Sequence, residues 1–372
     1  MSEVVINQMR AQLESIKGQP YAHAHSLPAD FYRDPTWFEY ESDALFSNQW
    51  VCVGRVEEVA NPQDYFTTQI CSEPVLVVRD DADELRAFSN VCRHRGTVLT
   101  EGAGSSPQHA CPYHHWVYNS SGKLIAAPGM SDSENFDSDK IKLPEFQCTQ
   151  WSGFIFVCLC SDPPDLKKQL VGLDQHIAGY HLDSMQLKYT ADEEWPVNWK
   201  SLLENYMEGY HLTPLHLETL HKVNPSRLCE HLSPGDDYFG YKVGFATRVP
   251  DDTIGHPELS EEERNTCVMA AVPPGLGIGI GSDYSSYLCF QPLSPESVRI
   301  KIGLIFYGDT WSPNDIESAV ELFNETMQED KDVLLRVRDG LRSKFYQPGP
   351  LAPPAMEGTI WDFYQYLSRS LT

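Results

Sequence analysis

Cys92-Arg-His94-Arg-Gly96 and Cys111-Pro-Tyr-His114-His-Trp116 decide how this chain is read. The two Cys-His pairs enclose one and two residues, and sixteen residues separate them. Two thiolates can hold one iron of a [2Fe–2S] cluster while two imidazoles hold the other. Replacing two thiolates by neutral imidazoles removes negative charge, which raises the reduction potential above that of an all-cysteine cluster. The pattern therefore points to one-electron transfer.

The neighbouring residues fit this Rieske-type reading. Gly96, Pro112 and Gly102-Ala-Gly104 are turn formers suited to two short loops closing on a cluster, and Arg93 and Arg95 place positive charge beside it. A tetrahedral Cys2His2 zinc site uses the same ligand types. Zinc sites more often pair a Cys-x-x-Cys knuckle with two histidines, so the two mixed hairpins favour iron–sulfur. His115 follows the second histidine where a small residue is usual, and the expectation is an outward-facing, inert side chain.

With 372 residues the chain is far longer than a bare electron carrier needs and long enough for two packed domains. Its formal charge of −25 argues against nucleic acid and anionic membrane as partners. Met1–Gln19 mixes charged with isolated apolar residues, so no signal peptide is expected, and no apolar run reaches membrane-spanning length. Ten cysteines without framework spacing suit a reducing cytoplasm. Cys52, Cys71, Cys148, Cys158, Cys160, Cys229, Cys267 and Cys289 read as small buried hydrophobes.

Residues 1–48 read as two helices separated by the His- and Pro-containing 20–36 segment. From Trp50 the period changes to short strands at 50–53, 65–70, 75–78, 85–88, 116–118 and 154–157. Pro163-Pro164 marks the exit from this all-β region. After a mixed segment, residues 198–212 read as a helix capped by Asn198. Strands at 238–248, 266–272, 276–281, 284–291 and 298–307 suggest an antiparallel sheet, closed by a long helix from Pro313 to Phe345. Gly275-Leu-Gly-Ile-Gly-Ile-Gly281 alternates with period two, so it reads as a strand with one bare face and not as a phosphate loop.

A second constellation lies in the 198–212 segment. Asn205, Glu208 and His211 fall at i, i+3 and i+6, one helical face, and His216 follows after Pro214. Proline removes a backbone donor and forces a kink or exit, which allows the second histidine to swing back toward the first. Two histidines and one carboxylate from elsewhere make the facial triad of non-haem Fe(II) oxygenases, with positions left open for O2. His-x4-His alone is a weak signal, since most such pairs are ordinary core or surface histidines. Here a one-electron relay needs a destination, which gives the pair its meaning.

From about Phe31 to Tyr366 the chain resembles the large (alpha) subunit of Rieske non-haem iron oxygenases. The resemblance rests on Asn90-Val-Cys-Arg-His-Arg-Gly96, Cys111-Pro-Tyr-His114, Asn198-Trp-Lys200, Glu204-Asn-Tyr-Met-Glu-Gly-Tyr-His211 with His216, and Gln328-Glu-Asp330. It implies an α+β protein: an all-β Rieske [2Fe–2S] domain and a catalytic domain of helix-grip type, an antiparallel sheet flanked by helices. The expected boundaries are 1–48 for N-terminal helices packing on the catalytic domain, 49–162 for the Rieske domain and 163–372 for the catalytic domain. It also implies that Cys92, His94, Cys111 and His114 hold the cluster and that His211, His216 and Asp330 hold a mononuclear Fe(II). Glu329 and Asp332 are alternatives to Asp330, which only the resemblance singles out among 53 acidic residues. Glu208 would bridge His211 to His114 of a neighbouring subunit in a homotrimer, and Asn205 would border the iron.

Glu-x-x-His in place of Asp-x-x-His, with the later Gly340-Leu-Arg-Ser, most resembles the branch acting on choline, glycine betaine and carnitine. The resemblance then implies an oxygenase component fed from NAD(P)H by a separate reductase. That component would use O2 to hydroxylate or N-demethylate a quaternary ammonium compound. A dinucleotide fingerprint Gly-x-Gly-x-x-Gly is lacking, so the nicotinamide should bind elsewhere. Tyr210, Tyr241, Phe245, Tyr284 and Tyr287 are candidates for an aromatic cage. An aromatic acid, the alternative substrate, would need a buried cation, for which Arg248 is the candidate. A non-catalytic redox sensor, the alternative of another class, would be expected to lack one triad ligand.

Overall fold

The computed structural model describes residues 2–250 and 252–372, which divide into two compact units. One is Phe46–Pro164; the other joins the segment ending at Leu45 to Asp165–Thr372. Among the described residues no helix is long and apolar enough to cross a membrane.

The smaller unit is built of short antiparallel strands. Its seven-stranded sheet runs, in spatial order, Val51–Arg55, Phe154–Cys158, Glu145–Trp151, Leu85–Ser89, Glu73–Arg79, Asp64–Ile70, Ala103–Ser105. Gln108–Ala110, Val117–Asn119 and Leu124–Ala126 form a three-stranded sheet. Three of the strands absent from the sequence reading are only three residues long, too short to show a period. Phe88, Leu99, Trp116, Tyr118 and Leu143 pack with Cys92 and Cys111 in one buried cluster. Each large apolar side chain so buried contributes about 1.5–3 kcal/mol, so the cluster loops are anchored by the unit's own core.

The larger unit is centred on a second seven-stranded antiparallel sheet. Its order is Met185–Trp195, Ser297–Tyr307, Tyr284–Ser294, Leu276–Ile280, Thr266–Val272, Phe239–Gly244, Cys229–His231. The long helix is Pro313–Leu341, opened by a Ser312/Asp315 capping box, and a further helix, Pro354–Leu371, contacts the N-terminal helix Ser2–Ile16. Met185–Trp195 escaped the sequence reading because it is an edge strand whose exposed positions, Lys188, Thr190, Asp192 and Glu194, are polar or charged.

The bare glycine face has an occupant. Side chains at Gly277 and Gly279 would collide with the Tyr206 ring and with Ser286, so Tyr206 lies flat on this strand and its hydroxyl meets Ser286 Oγ at 3.2 Å. The helix carrying Tyr206, Trp199–Tyr206, is tied to the N-terminal segment by a fully buried ion pair: Lys200 Nζ lies 2.6 Å from Glu41, which also accepts from Trp199 Nε1. Burial pushes the Lys200 pKa down, and Glu41 opposes that shift.

The expected helix over 198–212 is shorter. Asn198 caps it by accepting from Lys200 N, but it ends at Tyr206. Beyond that point tertiary bonds replace the helical ladder: Thr359 donates to Met207 O, and Gly209 N donates to Met356 O at 2.8 Å. Asn205, Glu208 and His211 therefore do not share one helical face. His211 and His216 instead flank a one-turn helix, Leu212–Leu215, in whose first turn the missing N–H of Pro214 costs nothing.

Candidate active site: two ligand clusters and a cavity

The two Cys-His loops of the smaller unit repeat one local design. Cys92 N donates to Thr97 O at 2.8 Å, while Cys92 O accepts from Gly96 N at 3.0 Å. In the second loop Cys111 N donates to Trp116 O at 2.8 Å and Cys111 O accepts from His115 N at 3.0 Å. Gly96 and His115 thus hold equivalent turn positions, both left-handed, with φ of 75° and 55°. This explains why a small residue suits that place, and His115 occupies it with its ring exposed.

The donor chemistry fits a mixed-ligand cluster. Cys92 and Cys111 are buried, and the rings of His94 and His114 lie with centroids 4.6 Å apart. His94 Nδ1 is buried with no hydrogen-bond partner among the described residues, the state expected of a nitrogen reserved for metal. Burial pushes the Cys111 thiol up, but N–H groups of Tyr113 and His114 outweigh it and the net shift is downward, toward thiolate. Burial, with positive charge at His94 and Arg95, holds His114 below the usual imidazole range, which favours the neutral ligand form. Tyr118 hydroxyl lies 3.5 Å from Cys92 Sγ and accepts from Arg93 N, and Trp116 stacks on His94.

In the larger unit the ligand atoms of His211, His216 and Asp330 converge within 4.8 Å of one another. Asp330 Oδ1 lies 3.2 Å from His216 Nε2 and 3.6 Å from His211 Nε2. Each histidine is held from behind by a carboxylate. Glu208 Oε1 lies 2.5 Å from His211 Nδ1, and its other oxygen accepts from the backbone N–H groups of Tyr210 and His211. Glu329 Oε2 lies 2.7 Å from His216 Nδ1 and also accepts from Thr219 Oγ1. Holding Nδ1 as the donor leaves both Nε2 lone pairs facing Asp330. Burial works to lower the His211 pKa, but Glu208 and Asp330 prevail and the net shift is upward.

His216 Nε2 is buried without a hydrogen-bond partner among the described residues, so two imidazoles and one carboxylate stand ready for an octahedral cation with open positions. Glu329 faces the wrong nitrogen to be a ligand, and Asp332 is exposed and hydrogen-bonded to Gln328. Asn205 borders the site, its Nδ2 2.9 Å from Asp330 Oδ1 and 3.3 Å from His211 Nε2.

Above this cluster lies a cavity of about 600 Å³, floored by His211, His216 and Asp330. Of the five proposed cage aromatics, Tyr241, Phe245 and Tyr284 line it. Tyr210 is 55% exposed outside it, and Tyr287 is buried against Gly303 in the sheet. Tyr206 and Phe323 line the cavity and escaped the sequence reading, because nothing in a helix pattern tells which aromatic faces a void. Asp283 and the half-buried Cys267 also line it. Arg248 stands at the lining with a side chain 59% exposed, paired with Glu261, and is not the buried cation an aromatic acid would need.

Profiles of known families match both units: "Rieske [2Fe-2S] domain" over residues 49–146 and "Ring hydroxylating alpha subunit (catalytic domain)" over residues 176–372. The chain is a Rieske-type ring-hydroxylating oxygenase alpha subunit. The family carries a [2Fe–2S] cluster and a mononuclear iron and acts with O2 on small substrates, taking electrons from a separate reductase.

Among its relatives is the carnitine monooxygenase oxygenase subunit of Escherichia coli K12, 37% identical, with 87% of this chain and 86% of that protein aligned. The glycine betaine monooxygenase oxygenase subunit of Chromohalobacter salexigens is 38% identical over 93% of this chain and 86% of that protein. In solved structures, a quaternary ammonium Rieske monooxygenase superposes with a TM-score of 0.83 at 23% identity, covering 95% of this chain and 99% of that one. A naphthalene 1,2-dioxygenase from a Rhodococcus species superposes at 0.81 with 19% identity over 98% of both chains. These last two establish the shared fold.

Proposed function

We propose that this alpha subunit is the terminal oxygenase for a quaternary ammonium compound, hydroxylating it or removing an N-methyl group. The observation that carries the reading is a two-histidine, one-carboxylate cluster at the floor of an aromatic-lined cavity. Relatives over 35% identical are named for carnitine and glycine betaine. Cys92, His94, Cys111 and His114 would hold the cluster, and His211, His216 and Asp330 the Fe(II), which supplies O2 activation when bound. Glu208 and Glu329 orient the two histidines, and Asn205 donates to the third ligand. The exposed position of Arg248 leaves the aromatic-acid alternative without its buried cation. The sensor alternative lacks support too, since no triad ligand is missing. The test is NADH-linked O2 consumption, with a flavin- or ferredoxin-type reductase, across choline, glycine betaine, carnitine and benzoate-type acids. Turnover of the acids alone would overturn the reading.

The same reading includes a cytoplasmic homotrimer with electrons crossing between subunits from His114 through Glu208 to His211. Closed ring symmetry supplies such a crossing at every interface. It is supported by exposed apolar side chains beside both ligand sets: Val98 and Tyr113 near the cluster loops, Tyr210 and Leu217 near His211. Mixing Cys92→Ser and His216→Ala chains, each inactive alone, should restore partial activity in hetero-trimers. No recovery in verified mixed trimers would mean that electrons stay within one chain.

A further inference from the structure

The cavity contains one charge that the iron chemistry does not use. Among the described residues lining it, Asp283 and Asp330 are the acids, and Asp330 belongs to the metal cluster. Asp283 sits in the turn between the strands Leu276–Ile280 and Tyr284–Ser294. One carboxylate oxygen, Oδ1, accepts from Tyr284 N at 2.9 Å. That bond explains a turn-forming side chain here but not a charge, because asparagine would make it equally well.

Among the described residues no cation is paired with this carboxylate. Burial pushes its pKa up, opposed by backbone N–H groups alone. The two cations of the lining are engaged elsewhere, Lys222 with Glu218 at 2.7 Å and Arg248 with Glu261 at 3.4 Å. A desolvated, uncompensated carboxylate is costly, and a bound organic cation would relieve it. Tyr284 and Phe323 pack in the same apolar cluster beside it. Phe323 precedes Asp330 by seven residues on the long helix, about two turns, so both side chains fall on the face that lines the cavity.

We propose that Asp283 is the counter-charge for the cationic head of the substrate, with the rings of Tyr284 and Phe323 as its aromatic walls. A cation so placed meets both a carboxylate and π-faces, and an aromatic acid would meet repulsion. The proposal rests on the quaternary ammonium reading above.

Binding of choline, glycine betaine, carnitine and tetramethylammonium to the metal-loaded holoprotein, measured by calorimetry, tests it apart from turnover. 3,3-Dimethyl-1-butanol, the uncharged carbon isostere of choline, is the control. The wild type should bind its preferred cation at least tenfold more tightly than the isostere. Asp283→Asn, which keeps the turn bond, should lose 10–100-fold for the cation, leave the isostere unchanged and retain iron and cluster. Asp283→Glu should recover part of the loss. Equal cation binding by wild type and Asp283→Asn overturns the proposal while leaving the substrate reading intact. If the wild type binds tetramethylammonium but none of the three larger cations, the named substrates fall, and the Asn variant still decides the role of Asp283. If it binds no cation, both fall.

Discussion

The two ligand clusters are built from similar atoms but are buried in opposite ways. In the smaller unit the sulfurs are buried while Arg93, Arg95, Tyr113 and His115 around them are exposed, so the cluster loops form part of the surface. In the larger unit His216 is 0% and Asp330 7% exposed, beneath a cavity. An electron needs proximity to its donor, which a surface loop provides. Oxygen chemistry needs water kept out and a substrate held, which a cavity floor provides. The difference is thus one of access, not of ligand chemistry.

The largest effects should separate the two regions completely. Replacing Cys92, His94, Cys111 or His114 by Ala should abolish the visible Rieske spectrum. Replacing His211, His216 or Asp330 by Ala should remove mononuclear iron and turnover while the cluster stays reducible, because the two sites share no ligand. Iron and sulfide analysis with dithionite titration measures both. A variant at Asp330 that keeps its iron would break the assignment, and with it the contrast.

A smaller effect tests how each histidine is held. Glu329→Gln leaves the ligands untouched but weakens the anionic partner of His216 Nδ1, 2.7 Å away. Roughly a 10–100-fold loss of iron affinity is expected, with the Rieske spectrum unchanged. Glu208→Gln should act likewise on His211 and in addition stop turnover even with iron bound, if Glu208 also links the two centres. Equal residual activity for the two variants at full iron occupancy would reduce Glu208 to an orienting role.

The same contrast governs what could be read from sequence. Each cluster pair lies within one short turn, so local spacing is enough to show it. The iron ligands come from a break after one helix and from the buried face of another, more than a hundred residues later. Local periodicity carried the helix through to residue 212, whereas bonds from Thr359 and to Met356, distant in sequence, end it at Tyr206. Asp330 has no local mark distinguishing it from Glu329; burial and facing direction separate them. Sequence alone therefore leaves Glu329 open as a ligand, whereas in the fold it lies behind one. The alternating glycines did announce a bare strand face, but only packing reveals that Tyr206 fills it.

The smallest expected effect concerns the matched turns of the two cluster loops. Gly96 and His115 both donate N–H to a cysteine carbonyl from left-handed backbone. A Cβ at Gly96 would meet nothing within 4 Å, so Gly96→Ala adds conformational strain without a clash. The cost should be about 1 kcal/mol, read as faster thermal bleaching of the cluster. His115→Ala exchanges one left-handed side chain for another at an exposed position, so bleaching should change little and the spectrum should survive. Histidine tolerates this backbone region better than most residues, which leaves a loss of at most a few tenths of a kcal/mol. If His115→Ala bleached the protein as Gly96→Ala does, or shifted its spectrum, the His115 ring would be touching the cluster. The equivalence of the two turns would then no longer account for the residue found there.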